Sequence, residues 1–199
     1  MLNIISKGYL NILRLFYVNK KSFHLREIAK KTKLNENSAY RFLSKLEKDN
    51  ILLSEKKGNM KFFSIKDNKK TYSIITFFDI ERYEKLPSIR RVAIETYLNN
   101  LLKQPIFVIL FGSTAKDTFR DESDIDILIV TNERINAKKA ENEANVQSTL
   151  KISTFQIDYK KFIKELKLKN DMVIQSALET GYPLINHIKY YEEIRNAKI

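Results

Sequence analysis

Cysteine is absent from the 199-residue sequence, so no disulfide framework, thiolate zinc site or thiol nucleophile can be built from it. Histidine is nearly absent too. His24 and His187 are the whole supply, which counts against a Ser-His-Asp hydrolase, and their spacing gives neither a metal-site partner. Four glycines and three prolines rule out a collagen-like chain, and a content of 43% apolar and 30% charged residues rules out a disordered one. No apolar run reaches the ~20 residues of a membrane helix, and Met1 to Lys7 lacks the charged stretch, apolar core and cleavage site of a secretory leader. The expectation is a soluble, cytoplasmic protein with no membrane partner, made of one ordinary domain or two small ones.

What is present is an excess of cations, 36 Lys+Arg against 24 Asp+Glu for a net charge of +12, and it is unevenly spread. Residues 1–70 hold 17 Lys+Arg and 6 Asp+Glu, net +11, whereas residues 71–199 hold 19 and 18, net +1. The many Lys, Asn and Ile residues fit an AT-rich genome, but such a bias acts on the whole chain and leaves the asymmetry unexplained. A basic segment beside a neutral one points to a polyanion partner for the first part only, nucleic acid foremost.

Within that basic segment a helix is expected over Asn3 to Val18, with Ile5, Tyr9, Ile12 and Phe16 inward. Leu25, Ile28, Ala29 and Thr32 then share one face of a short amphipathic helix. After a break at Lys33 to Asn35, Ala39, Phe42, Leu43 and Leu46 recur at offsets of 0, 3, 4 and 7, while Asn37, Ser38, Tyr40, Arg41, Ser44, Lys45 and Lys48 face away. Ile51 to Leu53, a turn at Lys57-Gly58-Asn59 and Met60 to Ile65 read as a hairpin tipped with lysines. This order of helix, helix, turn, helix and hairpin resembles a winged helix-turn-helix DNA-binding domain. The resemblance implies that the Asn35 to Lys48 helix enters the major groove of duplex DNA, with Asn37 suited to adenine and Arg41 to guanine. Ser38 and Tyr40 suit phosphates or a base edge, Lys45 the backbone, and Lys56 and Lys57 on the wing suit phosphates. The alternatives are an ordinary solvated helix face, or a wing and helix that bind protein.

Between Lys66 and Pro105 the character changes. Residues through Lys70 read as a short linker, Thr71 to Lys85 is ambiguous, and Pro87-Ser88 looks like a helix start with Ser88 as its cap. Ile89, Val92, Ala93 and Tyr97 repeat at helical spacing, and Pro105 is expected to end that helix.

The chemistry-bearing constellation follows. Ile106 to Phe111 is a continuous apolar run of strand length, followed by Gly112-Ser113, where a glycine lets backbone approach a ligand. Ser123 to Val130 reads as a second strand, on which Asp124 and Asp126 point to the same face. Two like charges about 7 Å apart at the start of an apolar strand are costly unless divalent cations sit between them. Thr114 to Ser123 is too short for a parallel crossover, so the strands are expected to be antiparallel neighbours. The Gly112-Ser113 amides then lie beside the carboxylates, an arrangement that suits a nucleotide phosphate with Mg²⁺.

Phe111-Gly112-Ser113 followed by Asp124-Ile125-Asp126 and an apolar strand resembles the nucleotidyltransferase superfamily of the DNA polymerase β type, in particular its minimal stand-alone domains. The resemblance implies two Mg²⁺ ions on Asp124 and Asp126, with Ser113 and neighbouring amides on the phosphates of an NTP, ATP being the expected one. An acceptor hydroxyl on protein or RNA attacks the α-phosphorus and expels pyrophosphate. Lys116 and Arg120, between the motif halves, are candidate phosphate contacts. Two departures stand out. Lys116-Asp117 replaces the Arg-Gly of many relatives, and the strand expected over Leu150 to Ile157 carries Ser153, Thr154 and Gln156 where active members place a third carboxylate. Asp158 at its end is read either as that metal ligand, completing the site of the second ion, or as the N-cap of a helix through Phe162 and Leu166.

Further on, Asn170 is expected to cap a helix Asp171 to Thr180 stopped by Gly181, with Tyr182 to Ile185 as an edge strand. Tyr182, Tyr190 and Tyr191 are read as closing a core or a dimer contact ahead of stacking on a base. The resulting fold class is α+β: a winged helix-turn-helix over 1–68, a helical connection over 69–104, and a nucleotidyltransferase α/β domain with a small mixed sheet over 105–199. A homodimer is expected, as for winged-helix readers of palindromes. The leading function is a DNA-binding nucleotidyltransferase; minimal-type relatives often act in toxin-antitoxin pairs, which implies an antitoxin-like, autoregulatory role. The alternative is a transcription regulator whose second domain binds NTP or dimerises without turnover.

Overall fold

Residues 7–197 are described in the computed structural model of the chain, and they fall into two units, Met1–Phe78 and Asp79–Ile199. The first contains α1 (Lys7–Asn19), β1 (Phe23–His24), α2 (Leu25–Thr32), α3 (Glu36–Lys48), β2 (Leu52–Lys57), β3 (Met60–Ile65) and the start of α4 (Lys69–Glu84). The helix start expected at Asn3 and the inward Ile5 lie outside the described residues. Asn35 stands in extended backbone just ahead of α3, and its side chain accepts from the Ser38 amide at 2.8 Å, satisfying one of the donors that a helix start leaves open. Ala39, Leu43 and Leu46 are the buried stripe of α3, and Leu43 and Leu46 join a core with Ile12, Phe16, Ile28 and Phe63.

β2 and β3 form the hairpin, closed at Lys57↔Met60. Gly58 in the turn adopts φ +59°, a conformation that side chains disfavour. β1 was not foreseen in the sequence. Its two residues are too few to show alternation, yet Phe23 and His24 pair with Phe63 and Phe62 and give a three-stranded sheet of order β1-β3-β2. The stretch read as a linker is tied down instead: the Lys66 amide donates to the Ile51 carbonyl at 2.9 Å, and the Asn68 side chain accepts from the Thr71 amide at 3.0 Å. α4 resisted sequence reading because Tyr72, Ile74, Ile75, Phe77, Phe78 and Ile80 spread apolar surface around it rather than along one stripe.

The second unit continues with α5 (Ser88–Asn99), β4 (Phe107–Phe111), α6 (Gly112–Lys116), β5 (Ile125–Thr131), α7 (Lys138–Ser148), β6 (Ile152–Asp158), α8 (Tyr159–Leu168), α9 (Met172–Thr180), β7 (Tyr182–Ile185) and α10 (His187–Asn196). Its sheet has the order β6-β5-β4-β7 and is mixed: β4 is antiparallel to both β5 and β7, and β5 is parallel to β6. One face, with Val108, Leu110, Ile127 and Ile129, packs with Ala93, Ile94 and Tyr97 of α5 and Ala140 and Ala144 of α7. The other, with Phe107, Ile109, Leu128 and Val130, packs with Phe162 of α8, Ile174 and Ala177 of α9, and Tyr190 of α10. β4 is buried on both faces, which is why it reads as an unbroken apolar run.

Several local expectations are corrected. The buried stripe of α5 is Arg90, Ala93, Ile94 and Tyr97, whereas Ile89 and Val92 are exposed; burial of an arginine displaced the apolar pattern by one residue. Pro87, not Ser88, occupies the N-cap position, and the helix ends at Asn99, six residues before Pro105. Asp171 rather than Asn170 caps α9, accepting from the Val173 and Ile174 amides. Tyr182 and Tyr190 are buried and serve the core.

Because Leu43 is fully buried among the helices and hairpin of the first unit, Leu43→Ala should lower unfolding stability by about 2 to 5 kcal/mol. Urea denaturation followed by far-UV circular dichroism measures this, and a loss below about 1 kcal/mol would contradict the packing.

Candidate functional site

The pairing of β4 with β5 sets Phe111 directly opposite Asp126, so the Gly-Ser turn and the acidic strand meet although ten residues separate the motif halves. Gly112 has φ +69°. A Cβ there would stand 2.1 Å from Asp126 Oδ2 and 3.0 Å from its Cγ, so the carboxylate occupies the space that any side chain at 112 would need. The Gly112 amide donates to Thr180 Oγ1 at 3.3 Å, and Ser113 follows, half-buried, in the single turn of α6. Asp124 lies just ahead of the first residue of β5 and Asp126 within that strand, on the parity the sequence predicts.

The two carboxylates differ electrostatically. Asp124 Oδ2 accepts from Lys151 Nζ at 2.8 Å and from Ser153 Oγ at 2.9 Å, and these hydrogen bonds hold its pKa below the ordinary carboxylate value. Asp126 is shifted the other way, first by burial and then by the charge of Asp124. Its carboxylate has no hydrogen-bond or ion-pair partner among the described residues. One acid is therefore paired with a tethered ammonium, and the other is partly buried, with only the more distant charge of Lys151 to offset its own.

Parallel pairing of β6 with β5 places Ser153 opposite Asp126 and Asp158 opposite Thr131. Asp158 is thus five residues farther along, about 16 Å at ~3.3 Å per residue. Its Oδ1 accepts from the Lys160 amide at 2.9 Å and the Lys161 amide at 3.2 Å, capping α8. Of the two roles left open for Asp158, the structure assigns the cap and removes the metal ligand. Among the described residues no group of three or more His, Cys, Asp or Glu side chains gathers for a metal ion. The donors present fit one divalent cation that also takes phosphate oxygens; they do not fit two.

Lys116, the last residue of α6, and Arg120 are both exposed on the connection between the motif halves. That connection is organised by arginines the sequence reading passed over. Arg90 reaches Thr114, Arg120 and Ser123 from α5. Arg82 donates to the Ala115 carbonyl at 2.7 Å and lies 4.3 Å above the Tyr182 ring. Lys151 and Ser153 were also missed as partners of Asp124; their two-residue spacing across the start of β6 was the available signal. A cavity of about 580 Å³ is walled by Arg134, Asn136, Lys138, Glu141, Thr154 and Gln156, and includes neither aspartate.

In the first unit, Asn37, Tyr40, Arg41 and Lys45 lie exposed on α3, with Ser38 half-buried, and Lys56 and Lys57 stand exposed at the end of β2. Arg41 and Lys56 have no ion-pair partner among the described residues. Lys57 is 3.3 Å from Glu55, and Lys45 Nζ lies 5.4 Å above the Tyr9 ring.

Residues 93–189 match the family model described as polymerase beta, nucleotidyltransferase. None of the curated proteins compared with the sequence matches it. Among solved structures, the chain is similar to the archaeal chromatin protein TrmBL2, described as showing a novel mode of DNA binding, at 15% identity and a TM-score of 0.31 over 83% of this chain and 70% of that one. It is also similar to a hypothetical protein at 13% identity and a TM-score of 0.29, over 96% of this chain and 75% of that one.

The raised pKa of Asp126 means that the folded state binds its proton more tightly than the unfolded state does. Stability is therefore lost as pH rises from the ordinary carboxylate value through the folded one. Asp126→Asn should melt at a higher temperature than the native chain at pH 7, and the difference should vanish once both states are protonated below the ordinary carboxylate range. Thermal scans across pH test this; a variant less stable at pH 7 would show that the charge is compensated.

Proposed function

We propose that the second unit is a nucleotidyltransferase-type domain that binds a nucleoside triphosphate, ATP being the expected one, together with Mg²⁺, and that the first unit is a winged helix-turn-helix module that binds duplex DNA. The observation that carries the nucleotide reading is the seating of the unpartnered Asp126 carboxylate against the bare Cα of Gly112. A residue without a side chain, a small hydroxyl residue and two acids converge there, and the matched family is described as a nucleotidyltransferase.

In this reading the backbone at Gly112-Ser113 and the Ser113 hydroxyl take phosphate oxygens, Lys116 and Arg120 supply outer cationic contacts, and Asp124 and Asp126 hold the cation. Bound there, the cation neutralises phosphate charge and lowers the barrier to displacement. Transfer consists of attack by an acceptor hydroxyl, on protein or RNA, at the α-phosphorus. A new P–O bond forms, the bond to the β-phosphate breaks, and pyrophosphate and the hydroxyl proton leave. Ser113 and the turn amides keep the triphosphate extended for in-line attack.

A second reading is favoured by Lys151 and Ser153. Because they surround Asp124 where a further carboxylate would activate the acceptor, the domain would hold NTP without turnover, as the sensing part of a transcription regulator. DNA binding rests on the +11 charge of residues 1–70 and the exposed Asn37, Arg41 and Lys56. A homodimer reading a palindrome, and an antitoxin-like autoregulatory role, extend the same proposal.

Calorimetry should show Mg-ATP binding to the native chain and none to the Asp124→Asn/Asp126→Asn variant; equal affinity in both would refute the nucleotide site. Label transfer from α-labelled NTP to the product of a neighbouring gene separates the two readings. Transfer lost in Asp126→Asn and retained in Asp158→Asn supports catalysis with Asp158 as a cap, whereas binding without transfer supports the regulator. For DNA, affinity should fall steeply with salt, and Arg41→Ala should cost ~1 to 3 kcal/mol at the cognate site. Unchanged operator affinity in that variant would remove α3 from the interface.

A further inference from the structure

Arg90 is the largest fully buried side chain in the described structure, with 2% of its surface exposed; among the described residues no carboxylate forms an ion pair with it, and only the charge of Asp121 acts on it from farther off. Its Nη1 donates to Thr114 Oγ1 at 3.0 Å and to the Ser123 carbonyl at 3.1 Å. Its Nη2 donates to the carbonyls of Arg120 at 2.8 Å, Ser123 at 3.1 Å and Asp121 at 3.4 Å. The guanidinium carbon lies 4.0 Å from the centre of the Phe119 ring. Burying a guanidinium without a hydrogen-bonded carboxylate is expensive, and an apolar residue of similar volume would fill the same stripe of α5 beside Ala93, Ile94 and Tyr97.

What the charge does here is visible in its acceptors. Thr114 stands two residues after Gly112, and the Ser123 carbonyl immediately precedes Asp124. One planar group therefore grips both halves of the motif. Between them, residues 117–123 have little other order. Besides the Arg90 contacts, their backbone is held by the Asp117 and Thr118 amides on Thr114 and Ser113 and by a turn in which Ser123 and Arg120 bond each other.

We infer that Arg90 is a positioning residue for the nucleotide site: its guanidinium fork fixes the loop that sets Ser113 against Asp124 and Asp126. The inference rests on the proposed nucleotide reading and adds to it a residue of α5 that lies before the matched segment 93–189. The fork is the working feature. Lysine keeps the charge but presents one ammonium point, which cannot span Thr114, Arg120 and Ser123 together.

The test uses the full chain carrying Arg90→Lys, with Phe162→Leu as a control that disturbs the opposite face of the sheet. Hydrogen exchange without nucleotide should show faster exchange of amides 117–124 in Arg90→Lys while β4 and β5 stay protected, and calorimetry should show Mg-ATP affinity at least tenfold weaker. Phe162→Leu should lower the melting temperature and leave that affinity unchanged. Unaltered loop exchange, or unaltered affinity in Arg90→Lys despite a loosened loop, overturns the inference, as does an equal loss in Phe162→Leu. If Asp126→Asn binds Mg-ATP like the native chain, the nucleotide reading itself falls and the positioning role with it; weak binding in Asp126→Asn beside native binding in Arg90→Lys removes Arg90 alone.

Discussion

The antiparallel pairing that sets Phe111 against Asp126 is the constraint on which the site depends. A one-residue slip of β4 would exchange its side chains between two closely packed layers that they no longer fit, so the β4/β5 alignment is held by the whole core rather than by the site. Given that alignment, the end of β4 must open beside the first acids of β5, and the carboxylate of Asp126 needs the volume that a side chain at residue 112 would fill. Gly112 is therefore fixed by packing before any ligand is considered. Its positive φ turns the chain sharply into α6, and Ser113 follows at once.

Charge then decides what this geometry can hold. Placing Asp124 and Asp126 together leaves two negative charges at the start of a central apolar strand, and the protein gives hydrogen-bonding partners to only one of them. Lys151 and Ser153 satisfy Asp124, while burial and the charge of its neighbour both oppose ionisation of Asp126. A third acid would deepen the demand for cations; Ser153, opposite Asp126, lowers it. In the function proposed above, nucleotide binding and chemical transfer thus have different requirements. The first needs one cation shared with phosphates, and the second needs a group to take the acceptor's proton.

Much of this was legible in residue spacing. The apolar run to Phe111, the Gly-Ser pair and the alternating acids place the site because each is a local pattern with one reading, and the short connection between them dictates antiparallel pairing. Likewise, the stripe of Ala39, Leu43 and Leu46 defines α3. What was hidden depends on long-range partners. Asp158 shares the strand parity of Thr154 and Gln156, and only the parallel register of β6, with Ser153 opposite Asp126 and Asp158 opposite Thr131, reveals that this parity is the other face of the sheet and that Asp158 stands at the far end of the strand. Arg90 sits where the helical period calls for an apolar residue, so the stripe was drawn through Ile89 and Val92, which are exposed. β1 borrows its strand character from Phe63 and Phe62.

The basic first unit obeys a similar accounting. Its net charge overstates the cations free to meet a polyanion, because Arg26, Lys57 and Lys61 each face a glutamate, at 3.7, 3.3 and 2.8 Å. Exposed pairs of this kind are weak and exchange readily, so a phosphate could displace the glutamate at little cost, yet each displacement returns part of the Coulomb gain. Arg41 and Lys56, which have no such partner among the described residues, retain their full charge for a ligand. The salt sensitivity of any DNA complex is therefore governed by how many cations reach phosphate without first leaving a glutamate, a smaller number than the +11 carried by the sequence would imply.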